Sequence, residues 1–295
     1  NSNMLILDGS QGEGGGQIIR TALALSTLTQ IPFEVINIRK NRPEPGLKAQ
    51  HLKSIELLKQ CTSAKTNYLE LKSEHLIFYP GPIKKGKYTI DIGTAGSITL
   101  LLQSVLLPAL FAPGKITFII TGGTCGKYQA STTYLDKILL PQLQRFAKIE
   151  CNTKQRGYYP TGGGQIEISI TPKISSHQFN TPQEIINHLA STIPPYHLNK
   201  FIPPTIIKCY INLSRELEDK EVAIRMKRSI EQTLRLLSIP ISTDIEYATT
   251  SSMGGEVVLA AHINIDSANP IIIGSDIIFE KNISSEELGK QAAAK

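Results

Sequence analysis

Residues 10–17 read Ser10-Gln11-Gly12-Glu13-Gly14-Gly15-Gly16-Gln17, a glycine cluster around one carboxylate. A short apolar run, Met4 to Leu7, precedes it, and an apolar-periodic stretch, Ile18 to Leu28, follows. That order predicts a strand, a loop and a helix start. Glycines at such a junction let the backbone take positive φ and turn several N–H groups toward one point, where the helix adds the positive end of its dipole. An anion suits that place. Glu13 would repel a bound phosphate unless a divalent cation lay between them, so the loop points to phosphate with Mg²⁺ or Mn²⁺. Arg20, a cation at the start of a helix, opposes the macrodipole and is offset by an anion. A plain glycine turn packed on a strand fits the loop alone equally well.

A second segment, Ile38 to Leu52, sends Arg39 and Arg42 out of a strand end, stiffens the turn with Pro43 and Pro45, and places Gln50 and His51 in the helix that follows. Arginine forks on a rigid loop suit bidentate phosphate binding, and Gln50 can hydrogen-bond a sugar or base; a solvated basic loop is the alternative. In a third segment, Asp91 to Gln103, Gly93-Thr94-Ala95-Gly96-Ser97 opens another helix. Its small residues allow close approach of a ligand or of another backbone. Gln103, polar among Leu100, Leu101, Leu102 and Val105, either satisfies a buried backbone group or reaches a ligand. The fourth, Arg156 to Gly164, reads as a hairpin connection. No GxxxxGK[ST] occurs, and the first loop lacks the third glycine of GxGxxG, which excludes a P-loop and a Rossmann fingerprint.

The elements that position these segments come in a repeated order. Strand (4–7), helix (17–29), strand (33–39), helix (47–61) and two strands (65–71, 75–79) are followed by strand (88–92), helix (96–111), strand (115–121), helix (132–146) and two strands (148–153, 165–170). This is a tandem βαβαββ unit of about 75–85 residues, and the fold class is α+β with layered α/β units. Beyond Pro172 the rhythm breaks: Pro194-Pro195 and Pro203-Pro204 punctuate a region that reads as a separate α+β domain, with a basic amphipathic helix over 221–237. Ser284 and Glu287 form a capping-box pattern at a last helix start.

The chain has 295 residues, 41% hydrophobic, enough for a large core and two domains. Net charge +6 is compatible with a polyanionic partner, while the absence of Trp argues against a broad base-stacking platform. Cys61, Cys125, Cys151 and Cys209 show neither zinc nor disulfide spacing. No apolar run reaches the roughly 20 residues of a bilayer span, and the expectation is a cytoplasmic protein without a membrane partner.

Together the four segments resemble the RNA 3′-terminal phosphate cyclase family: LDGxxGEGGGQIxRTxLALS (Leu7 to Ser26), IRxxRxxPGLxxQHL (Ile38 to Leu52), IGTAGSxTLLLQ (Ile92 to Gln103) and GYYPxGGG (Gly157 to Gly164). The resemblance implies three βαβαββ units with a smaller domain inserted before the third. Residues 1–176 and 277–295 would form the large domain, its third unit incomplete, and 177–276 the insert. It implies ATP-dependent conversion of RNA 3′-phosphate ends to 2′,3′-cyclic phosphates through enzyme-AMP and RNA-adenylate intermediates. Position by position, Glu13 matches the metal-binding carboxylate for Mg²⁺ or Mn²⁺, Arg20 a triphosphate contact, and Arg39 and Arg42 the essential arginines. Gly14, Gly15, Gln50 and Gln103 match the ATP site. Two departures stand out. Thr124-Cys125 and Ala130-Ser131 replace the family's aspartate and Ala-Pro, and the nucleophilic histidine is expected beyond residue 295, since His51, His75, His177, His188, His197 and His262 do not occupy its place. The alternatives are a non-catalytic cyclase-like protein that binds RNA or assists ribosome assembly, although such relatives lose the glycine-glutamate loop, and, more distantly, an enolpyruvyl transferase.

Overall fold

The apolar alternation of the short strands and the 3.6-residue stripes between them build three four-stranded sheets. The computed structural model describes every residue except 1–3, 197, 199–200 and 265–267, so His197 lies outside the described residues. In the first unit β1 (Leu5–Asp8), α1 (Gln17–Thr29), β2 (Phe33–Ile36), α2 (Ala49–Cys61), β3 (Lys65–Asn67) and β4 (Leu76–Tyr79) form a sheet of order β1-β2-β4-β3. The second unit contains β5 (Gly86–Asp91), α3 (Ile98–Leu102), α4 (Leu106–Ala109), β6 (Ile116–Gly122), α5 (Thr132–Tyr134), α6 (Leu140–Leu143), β7 (Ala147–Gln155) and β8 (Gly164–Pro172). Its order, β5-β6-β8-β7, repeats that of the first, with the leading pair parallel and the rest antiparallel in both. Leu23, Ile55 and Phe78 share one core with Leu101, Phe118 and Ile168, so the two units pack as a single body. Each such fully buried side chain contributes about 2 kcal/mol.

Two helices that the sequence pattern makes continuous are broken. The stretch 96–111 divides into α3 and α4, because Pro108 has no N–H for the Ser104 carbonyl and crowds it; Ser104 and Val105 instead donate to Leu101 and Leu102 at 3.1 Å each, tight turns that end α3. Over 132–146 a π-helical turn, Leu135–Leu139, lies between α5 and α6. Pro141 supplies the cause, since a widened turn absorbs its missing donor.

Helix α7 (Pro182–Thr192) packs back on the shared core of the first two units through Leu189, and a third unit follows: β9 (Ile206–Ser214), α8 (Val222–Leu234), β10 (Ile241–Ala248), β11 (Gly255–Asn264), β12 (Ile271–Ile278) and α9 (Ser285–Ala294), with sheet order β10-β9-β11-β12. The domain boundary drawn at 276/277 falls inside β12. Residues 277–295 belong with what precedes them, because Leu288 and Ala292 of α9 are buried with Met226 and Ile230 of α8 and Ile211 of β9. Ser284 caps α9, accepting from the Glu287 N–H at 3.1 Å. This unit docks on the second through a buried polar knot: Arg156 donates to Glu246 at 2.9 Å and to Glu256 at 3.3 Å, and Thr133 and Asn212 donate to Glu256 at 2.7 and 3.2 Å. Burial raises the pKa of Glu256. No helix among the described residues is long and apolar enough to cross a membrane.

Candidate active site

The start of α1 is built to leave donors unsatisfied. Gly16 is its N-cap, no side chain caps it, and its first turn carries no acid. The leading N–H groups of a helix have no internal acceptor, so an outside anion is their natural partner. Asp8, at the end of β1, shapes the approach. Its Oδ1 accepts from the Ser10 N–H at 3.0 Å, the Ser10 hydroxyl at 2.7 Å and Asn37 Nδ2 at 3.3 Å. The Ser10 bonds hold this carboxyl below the usual carboxylate range. Gly14, at φ 57°, takes a turn that L side chains rarely adopt. Gly16 is required by space: a Cβ there would strike His51 Nε2 and stand 2.7 Å from an Arg20 terminal nitrogen.

Cations converge on this point from two segments. Arg20, on the inner face of α1, is 9% exposed; its Nε donates to Gln103 Oε1 at 2.9 Å and one terminal nitrogen to Gln17 Oε1 at 3.3 Å. Burial without a carboxylate partner lowers its pKa. Arg42 lies over the loop, 3.2 Å from where a Gly15 Cβ would stand, and pairs with Glu13 at 3.5 Å. Glu13 is 95% exposed, so this pair is readily exchanged for a ligand. Arg39 points elsewhere. At φ 52°, it turns its guanidinium back to donate to the Glu44 and Gly46 carbonyls at 2.6 and 3.1 Å, which fixes the loop that carries Arg42.

Spacing alone left His51 without a role, yet it sits at the centre. Its Nδ1 accepts from the Lys48 N–H at 3.0 Å at the start of α2. Burial, reinforced by Arg20, Arg39 and Lys48, pulls its pKa down to about 4. The ring is therefore neutral at pH 7 with its proton on Nε2, the atom that faces Gly16. The signal in the sequence was its place three residues after Lys48, where an acceptor can complete a helix start.

Of the residues picked out in the sequence, Glu13, Gly15, Arg20, Arg42 and Gln103 come together, and Gly14 shapes their loop. Gln103 is exposed and serves neither a buried backbone group nor a core; it holds Arg20 in place. Gln50 reaches the second glycine loop, donating to the Ser97 carbonyl at 3.3 Å. Among the described residues no group of three or more His, Cys, Asp or Glu side chains could hold a metal ion. A single open carboxylate, Glu13, suits a Mg²⁺-type cation that arrives with phosphates as its other ligands. The arrangement can bind a polyphosphate: N–H donors, two guanidinium groups and a neutral imidazole donor face one space, with one carboxylate at the rim.

Comparison with known proteins agrees with the motifs. Residues 11–270 match the family model for RNA 3′-terminal phosphate cyclase. The chain is 35% identical over 291 residues to an RNA 3′-terminal phosphate cyclase of Pyrococcus furiosus, covering 98% of this chain and 78% of that one. It is 36% identical to its namesake in Hyperthermus butylicus, over 99% of this chain and 77% of the relative. In Methanosarcina acetivorans a protein of the same name is 48% identical over 184 residues, 61% of this chain and 52% of that one. The chain belongs to the RNA 3′-terminal phosphate cyclase family.

Proposed function

We propose that this protein serves the ATP-dependent conversion of an RNA 3′-phosphate into a 2′,3′-cyclic phosphate, and that the start of α1 holds the triphosphate of ATP. The observation that carries the reading is the uncapped start of α1 facing Arg20, Arg42 and the Nε2–H of His51. A 3′-phosphate dianion has no good leaving group, and adenylylation gives it one; the neighbouring 2′-hydroxyl then closes the ring and AMP departs. Arg20, kept in one orientation by Gln17 and Gln103, and Arg42 would draw charge from the phosphates as pyrophosphate leaves. Glu13 would hold Mg²⁺ or Mn²⁺ against the phosphates, where the ion supplies further charge neutralisation. The histidine that accepts AMP is expected beyond Lys295, and the six histidines of this chain are assigned no such role.

Two measurements test the reading. This chain should bind ATP with Mn²⁺, and a chain extended through the expected histidine should become labelled by α-labelled ATP in an acid-labile bond and transfer the label to a 3′-phosphorylated RNA. Failure of the extended chain to take up label would contradict it.

A further inference from the structure

We infer that the outer face of the second unit's sheet holds the body of the RNA, gripping its phosphate backbone through a row of lysines at the end away from the glycine loop. The inference rests on the proposed function for its ligand class and on the sheet for its place. Strand register makes the row. Lys85 and Lys115 directly precede Gly86 and Ile116, which pair between β5 and β6. Ile116 pairs with Ile170 on β8, and the next residue, Thr171, pairs with Lys148 on β7. The row Lys85-Lys115-Thr171-Lys148 thus crosses all four strands, a width of about 14 Å. All four residues are exposed. Side chains alternate along each strand, so Ile116, Ile149 and Ile170 enter the core and the row faces solvent.

Like charges on neighbouring strands repel, so such a row costs stability unless an anion offsets it. The acids in reach are engaged by other lysines: Glu150 pairs with Lys148 at 3.0 Å and Glu167 with Lys87 at 4.0 Å. Among the described residues neither Lys85 nor Lys115 pairs with a carboxylate. The Lys85 stem lies over the turn before β6, where a Gly114 Cβ would stand 3.0 Å from its Cδ, so it is held beside Lys115. Lys148, bonded to Glu150, holds that carboxyl below the usual range and Lys115 adds to the effect, which sets both cations over one space. The first unit serves as an internal control. Its sheet has the same strand order and register, and its corresponding row reads Met4, Pro32, Tyr79 and Lys65. The fold therefore does not require the lysines.

The chemistry of the face selects backbone over bases. Thr171 stands between the lysines, and one step along the strands the Thr117 and Ser169 hydroxyls bond each other at 2.8 Å. Ammonium groups and hydroxyls suit phosphate oxygens and 2′-hydroxyls. No ring stands beside them to stack a base, since Tyr88 and Phe118 of β5 and β6 pack together on the inner face, centroids 6.3 Å apart. Position relates the row to the site. Asp91, at the other end of β5, leads into the second glycine loop, about 20 Å from Lys85. Ser97 of that loop accepts from Gln50 on α2, the helix that also carries His51. A strand with its 3′ end at the phosphate site can run past this loop and along the sheet to the lysines.

The test follows binding of a labelled 3′-phosphorylated RNA of about 16 nucleotides across a salt series. It compares wild type with the row variant K85Q/K115Q/K148Q and with K220Q/R228Q/R235Q, which removes the same charge from exposed positions on α8 and at its ends. ATP binding is measured in parallel, and thermal melting reports on folding. The row variant should bind about 10-fold more weakly at low salt, and its slope of log affinity against log salt should be shallower by about 2. The loss should be equal for pyrimidine and purine strands, with ATP affinity and melting unchanged. The α8 variant should stay within about 2-fold of wild type. An unchanged affinity and slope in the row variant overturns the inference and leaves the proposed function standing. An equal loss in the α8 variant also overturns it, because the effect would then follow net charge alone. Failure of wild type to bind both ATP and 3′-phosphorylated RNA removes the proposed function together with the inference.

Discussion

The first two units place a glycine-rich loop between a leading strand and a helix, β1 to α1 and β5 to α3, yet only one of the two loops is open for an anion. At α3 the loop satisfies itself. Ser97 caps the helix by accepting from the Leu100 N–H at 3.1 Å, Asp91 accepts from Gly93 at 2.7 Å, and Thr94 accepts from Gly96 at 3.1 Å. At α1 the cap is Gly16, which offers no oxygen, and Asp8 spends its acceptor on Ser10 and Asn37 before the glycines begin. Donors complete the difference: the guanidinium groups of Arg20 and Arg42 and the neutral imidazole edge of His51 face the open loop. One topology thus yields a closed turn or a binding site, depending on whether its acceptors come from the chain or are left to a ligand.

The largest expected effect separates the loops by titration. Only the start of α1 has a buried imidazole beside it. Because His51 has a folded-state pKa of about 4 against 6.5 ordinarily, its contribution is complete above pH 6.5 and is lost as pH falls toward 4. The loss amounts to about 3 kcal/mol. Chemical denaturation between pH 7 and pH 4 should show it, and His51→Asn, whose carbonyl can still accept from Lys48, should flatten that part of the profile. Next in size, Gly16→Ala pushes a methyl into His51 and Arg20, and ATP affinity should fall about 100-fold by calorimetry, some 2.7 kcal/mol. Gly96→Ala is its counterpart in the second loop. There the methyl meets only Ile92 Cγ2 at 2.5 Å, so melting should drop and nucleotide affinity should hold.

Smaller effects sharpen the contrast. Arg42→Ala should weaken ATP binding about 10-fold while leaving the melting temperature in place, since an ion pair with a carboxylate as exposed as Glu13 adds little stability. Ser97→Ala should do the reverse, costing about 1 kcal/mol of stability through the lost cap and leaving ATP affinity within about 2-fold.

Much of this contrast was legible in the chain. Glu13, Arg20, Arg42 and Gln103 were marked by residue type and spacing because an anion nest needs glycine, a helix start and a cation, each visible locally. His51 and the duty of Arg39 were not legible, because both depend on which carbonyl or N–H the folded loop presents: Lys48 N–H for one, Glu44 and Gly46 carbonyls for the other. The repeat order survived in the sheets, while the helices over 96–111 and 132–146 were read as too continuous, since apolar periodicity overshadowed Pro108 and Pro141. The edge at 276/277 failed for a different reason. What binds α9 to the third unit is the burial of Leu288 and Ala292 against a helix some 60 residues earlier, a contact no local pattern records.

The most direct test of the two-loop contrast is an ATP titration, with Mg²⁺, followed by NMR on protein labelled with ¹⁵N-glycine. The amides of Gly15 and Gly16 should shift saturably as the phosphates accept their hydrogen bonds, and those of Gly93 and Gly96, already bonded to Asp91 and Thr94, should stay where they are. Saturable shifts at Gly93 and Gly96 with Gly15 and Gly16 unmoved would contradict the account.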